Sequence, residues 1–109
     1  MGKMIRFAVA LAAMAFFTGA VAFAQSSGQA VYRDHCQACH GPEGVPDATM
    51  AKMLGVPSVK DSAMYELTPA EMIATVKHGK GKMPAWWPSP LTDVQVKEVV
   101  AYFRTFTKK

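Results

Sequence analysis

The stretch that decides the fold is Cys36-Gln37-Ala38-Cys39-His40. Its two thiols are three positions apart, one helical turn, and an imidazole follows at once. This C-x-x-C-H spacing is the attachment signature of c-type haem. Each thiol can add across one of the two vinyl groups on one edge of a porphyrin, forming a thioether. The adjacent imidazole of His40 then lies beneath the ring, within reach of the iron. Covalent attachment also suits a compartment where a loose cofactor would diffuse away. Two other chemistries use C-x-x-C. A thioredoxin-like dithiol expects a βαβ setting, and no alternating strand run is visible. A closed structural zinc site needs four ligands, and only His35, His40 and His78 remain to complete one, in no familiar spacing.

Upstream, residues 7–24 (FAVALAAMAFFTGAVAFA) carry no charge, and Lys3 and Arg6 precede them. A positive start, an apolar run and then Ala22-Phe23-Ala24 make a secretory leader with an A-x-A cleavage pattern. Residues 1–24 are therefore expected to be a signal peptide, and residues 25–109 the mature domain in the periplasm. The same eighteen residues are just long enough to span a bilayer, so an uncleaved anchor holding the domain at the periplasmic face is the alternative. Contact with a membrane is expected only if residues 1–24 are retained.

The chain has 109 residues, half of them hydrophobic, with 12 basic and 8 acidic side chains. Without Lys3 and Arg6 the mature 85 residues keep 10 basic and 8 acidic groups, too mild a balance to predict nucleic-acid binding. The apolar content excludes a disordered chain, and the length allows one small domain. A core of that size supplies only a few kcal/mol, and such domains usually carry a staple. Cysteines three positions apart cannot close a useful disulfide loop. Haem is the staple that remains.

Gly28, Val31, Tyr32, His35, Cys36 and Cys39 recur at three- and four-residue steps, which reads as one helix face ended by His40-Gly41-Pro42. Residues 48–54 suggest a short helix stopped by Gly55, and residues 55–67 read as irregular, with Pro57 inside. Thr68-Pro69-Ala70-Glu71 is a strong helix start, with a capping box and proline at the first helical position. Thr92-x-x-Gln95 is a second capping box, followed by Val96, Val99, Val100 and Phe103 at helical spacing. Between them, residues 82–91 carry three prolines and read as an extended loop. The fold class is all-α: three principal helices plus one short helix, with loops long enough to wrap one haem.

Iron held by one imidazole has a sixth position. A second protein ligand there makes an electron carrier, and an open position makes a gas binder or a catalyst. The candidates are Met50, Met53, Met64, Met72, Met83, His35 and His78. Met50, Met53 and Met72 sit on helical faces and read as core filler. His35 reads as a solvated face. Met83 follows Gly79-Lys80-Gly81-Lys82 and precedes Pro84; glycines let the backbone approach a ligand closely and proline fixes the chain afterwards. His78 is the leading alternative ligand. Lys77, Lys80 and Lys82 cluster before this loop, either as an ordinary solvated surface or as a positive collar that steers acidic-surfaced redox proteins.

The runs CQACHGPEG, VKHGKGKMPAWW and VKEVVAYFRTF, in that order, resemble a small bacterial class I cytochrome c, from about Gly28 to Phe106. The resemblance implies the cytochrome c fold, one haem c attached through Cys36 and Cys39, and His40 and Met83 as axial ligands. It also implies that Gly28 and Tyr32 cross the last helix near Val99 and Tyr102. By the same resemblance Pro57 offers its backbone carbonyl to the distal nitrogen of His40, with Pro46 also available. One of Trp86 and Trp87 is expected to pack at the haem edge and donate its indole N–H to a propionate. Trp86 is taken as the binding residue. The implied function is transfer of one electron between exported redox partners, by a monomer without a catalytic constellation. The alternatives are an anchored haem subunit of an oxidase or dehydrogenase complex, or a five-coordinate gas-binding or peroxidatic protein if Met83 does not ligate.

Overall fold

In the computed structural model residues 27–107 are described, and the signal-peptide reading of residues 1–24 lies outside them. Helix α1 covers residues 27–35. It is followed by α2 (Gln37–His40), α3 (Ala48–Leu54), α4 (Ser62–Tyr65), α5 (Pro69–His78) and α6 (Asp93–Arg104), with a single 3-10 turn at Thr105–Thr107. Among the described residues there is no strand, only an isolated bridge between Lys80 and Met83. The architecture is all-α, as expected.

Both capping boxes form. The Thr68 hydroxyl accepts from the Glu71 amide and the Glu71 carboxylate accepts from the Thr68 amide, with Pro69 at the first helical position. Thr92 and Gln95 do the same at the start of α6. The Thr68 amide, and secondarily its hydroxyl, hold the Glu71 carboxyl below its ordinary range. Replacing Thr68 or Thr92 by alanine is expected to cost about 1 kcal/mol each. In a domain this small that lowers the melting temperature of the haem-loaded protein by about 4–8 °C.

The core is built on α6, whose Val96, Val99, Val100 and Phe103 are buried at helical spacing. Val31 and Tyr32 of α1, Met72 of α5, and Val59 and Leu91 from the loops complete it. Arg104 Nη1 donates to the Leu67 carbonyl at 2.7 Å and ties the end of α6 to the segment before α5. Helix α1 crosses α6 at Gly28, where a Cβ would lie 2.3 Å from the Glu98 carbonyl oxygen and 2.9 Å from the Tyr102 Cβ. Rings seal that crossing: Tyr32 lies 5.5 Å from Tyr102 and 5.4 Å from Phe106, centroid to centroid.

The structure departs from the sequence reading in three places. The helix face from Gly28 to Cys39 is interrupted at Cys36, whose φ of −118° breaks the helix before α2. The segment 55–67 contains α4, too short for apolar periodicity to register; the Asp61 carboxylate closes the turn before it by accepting from the Ser58 amide. Residues 82–91 form a loop, as expected, but not one extended throughout. Residues 87–90 turn, and the Leu91 amide donates to the Trp86 carbonyl at 3.0 Å, which returns Leu91 to the core. Proline fixes φ, and that φ suits a turn as well as an extended run.

Candidate functional site

The helix break at Cys36 does not disturb the spacing of the motif. The Cys36 carbonyl accepts from both the Cys39 amide (3.2 Å) and the His40 amide (2.9 Å), so both residues follow within one turn. Both cysteines are free thiols. Cys36 packs against the core. Burial, and secondarily Cys39, pushes its thiol up to about 11. A thiol that stays protonated at neutral pH is a poor redox dithiol, because the thiolate is the reactive form. The elements among the described residues are also all helical, without the βαβ setting that a thioredoxin-like dithiol expects.

His40 is held against Phe103, ring to ring at 5.7 Å and nearly perpendicular. Burial lowers its pKa, which keeps the imidazole neutral, the form that binds a metal. Its Nδ1 is buried without a hydrogen-bond partner. The expected acceptor, the Pro57 carbonyl, is therefore not bonded to it, and neither is that of Pro46; Pro57 itself is exposed. The carbonyl of the next residue, Gly41, accepts instead from the Tyr32 hydroxyl at 2.5 Å. Tyr32 thus anchors the chain just beyond His40, a role the sequence reading missed. The available signal was its place one turn before Cys36 on the same face. Burial, with Cys36 second, pushes the Tyr32 hydroxyl up to about 12, so it remains a donor.

Met83 closes a tight turn. The Lys80 amide donates to its carbonyl and its amide donates to the Lys80 carbonyl, both at 3.0 Å. Three residues on, the Trp86 amide donates to the Val76 carbonyl of α5 at 3.0 Å. Trp86 packs against the core and its ring lies 5.4 Å from that of His35. The structure thus brings Trp86 to the residue beside Cys36, and His35 is half-buried, not on a solvated face. Trp87 is 38% exposed, with the Lys77 ammonium 4.7 Å from its ring centroid. His78 is exposed and meets the edge of Trp87 at 6.0 Å.

The remaining methionines divide. Met72 is buried and Met64 packs on the core, as filler does. Met53 is 65% exposed and fills no core among the described residues; α3 has no buried residue at all. The lysine cluster is also less free than a steering collar requires. Lys77 pairs with Asp93, and Lys82 Nζ donates to the Met53 carbonyl at 2.7 Å. Lys77, and secondarily Lys97, hold the Asp93 carboxyl below its ordinary range.

The donor set fits a covalently held haem. Two free thiols stand one turn apart, and a neutral, half-buried imidazole with an aromatic wall follows them. Cys36, Cys39 and His40 are the residues that would hold it. Comparison with known proteins agrees. Residues 23–103 match the family described as cytochrome c oxidase, cbb3-type, subunit III. The chain is similar to a cbb3-type cytochrome c oxidase subunit CcoP of Azospirillum brasilense, 31% identical over 83 residues, covering 74% of this chain and 28% of that one. It is also similar to a dihydro-heme d1 dehydrogenase of Pseudomonas aeruginosa, 33% identical over 94 residues, covering 83% of this chain and 17% of that one. The chain thus spans less than a third of either relative. The match across residues 23–103 and the geometry around Cys36, Cys39 and His40 place this chain in the cbb3-type subunit III family, as a class I monohaem c-type cytochrome domain with covalently bound haem c.

Proposed function

We propose that this electron-transfer domain is an exported one-electron carrier whose iron is held between His40 and Met83. The observation that carries the reading is the C-x-x-C-H turn with free thiols and a half-buried, neutral imidazole whose Nδ1 is buried. Haem c, when bound, supplies the one-electron iron couple. Cys36 and Cys39 fix the ring to the α1–α2 segment. His40 binds from one side through its neutral imidazole. Met83 offers a soft, neutral thioether from a loop docked on α5, which favours the reduced metal relative to a second imidazole and raises the potential. Trp86, beside His35, is the indole we assign to a propionate. Outer-sphere transfer needs neither a general base nor a nucleophile, so the domain needs no catalytic group of its own. Its donor and acceptor are other redox proteins, and it works as a monomer in the periplasm once residues 1–24 are removed.

A second reading has a specific observation behind it. The similarity to a CcoP subunit favours a haem subunit of an oxidase complex, anchored through residues 1–24. Among the described residues no helix is long and apolar enough to cross a membrane. The mass of the purified N-terminus separates the two: cleavage after Ala24 supports the free carrier, and retention supports the anchored subunit.

The ligand assignment is tested by the ferric visible spectrum. The native protein is expected to show the weak long-wavelength sulfur-to-iron charge-transfer band, and Met83→Ala to abolish it. A native protein without the band has no methionine ligand, and the five-coordinate or histidine-ligated alternatives replace this one.

A further inference from the structure

We propose that Lys82 is a positioning residue for Met83: its ammonium straps the ligand loop to the end of α3. The inference rests on the reading of Met83 as an axial ligand.

The strap is one hydrogen bond with a long reach. Lys82 Nζ donates to the Met53 carbonyl at 2.7 Å, joining residues 29 positions apart. Met53 is the penultimate residue of α3. Its carbonyl is among the last four of the helix, which lack partners within the helix and carry its negative end. A cation is the favoured partner there. Lys82 is also the immediate neighbour of Met83, so holding one backbone constrains the other.

The rest of the loop is fixed from the other side. Gly79 has φ of 77°, and a Cβ there would lie 2.6 Å from the Met83 carbonyl oxygen and 2.9 Å from the Ala85 nitrogen. The chain from Met83 to Ala85 therefore rests directly on Gly79, where no side chain fits. The reciprocal Lys80–Met83 bonds close the turn, and the bond from the Trp86 amide to the Val76 carbonyl pins its far end to α5. The turn is thus seated on α5, and Lys82 ties its tip across to α3. Lys80 has the same charge two residues away, and its ammonium makes no hydrogen bond or ion pair among the described residues. A steering collar would use both lysines alike; a strap uses Lys82.

The test uses the haem-loaded protein and the variants Lys82→Ala, Lys82→Arg and Lys80→Ala. Free imidazole is mixed with the ferric form, where it can bind only by displacing Met83, and the loss of the charge-transfer band is timed. Displacement is expected to be about three- to tenfold faster in Lys82→Ala, the scale of one lost charge-assisted hydrogen bond at an exposed site. Lys82→Arg and Lys80→Ala are expected to react at the native rate. Equal acceleration in Lys82→Ala and Lys80→Ala would mean a charge effect and would overturn the strap. So would a native rate in Lys82→Ala while the band is present. If the native protein lacks the band, the Met83 assignment itself fails and the strap falls with it.

Discussion

The Cys36→Ala, Cys39→Ala double variant is expected to lose its cooperative thermal transition and most of its helical circular dichroism. The protein core alone is small. Among the described residues it comprises Val31, Tyr32, Val59, Met72, Leu91, Val96, Val99, Val100 and Phe103, five of them valines. Helix α3 adds nothing buried to it. A core on this scale supplies only a few kcal/mol. A porphyrin is several times larger than an aromatic side chain, which itself buries about 150–250 Å². At about 25 cal/mol per Å², burying it contributes on the order of 10 kcal/mol gross, comparable to the whole net stability of a domain. Removing both attachment points removes that term. A native helical signal with a sharp melt in the double variant would show that the polypeptide folds without its cofactor.

Gly28→Val is expected to cost about 3 kcal/mol or more, even though it changes one residue far from the motif chemistry. The first atom a side chain would meet is the Glu98 carbonyl oxygen at 2.3 Å, and the next is its carbon at 2.9 Å. These are backbone atoms of α6, so neither can rotate away. Relief requires α1 to move off α6, and that opens the packing of Tyr32 on Tyr102 and Phe106. Overpacking a tight contact commonly costs about 1–3 kcal/mol, and more where backbone must move. For a domain of this size the melting temperature should fall by at least about 12 °C. A fall of only a few degrees would mean that the two helices do not cross at this glycine.

How far these features could be read without coordinates depended on their range. The attachment motif and both capping boxes are local: three or four neighbouring residues set the geometry, and the helices begin where Thr68 and Thr92 say they should. The Gly28 crossing is long-range, and only the resemblance to class I cytochromes c pointed to it. Contacts made by side chains across the fold were hidden. Lys82 looked like a surface charge because nothing near it in the chain is its acceptor; Met53, 29 residues earlier, is. His35, at the end of α1, looked solvated because its partner, Trp86, comes from a loop about fifty residues on. Pro57 was assigned by resemblance, and the structure leaves His40 Nδ1 without that bond. Helix α4 escaped because four residues are too few to show a period.

The proposed attachment stitches a haem to Cys36 and Cys39 with His40 beneath it. Intact-mass measurement of the protein, purified from cells competent in c-type maturation, tests it most directly. The expected product is a coloured protein whose polypeptide mass is raised by that of one haem, with neither thiol open to alkylation. A colourless product at the bare polypeptide mass, with both cysteines alkylated, would contradict it.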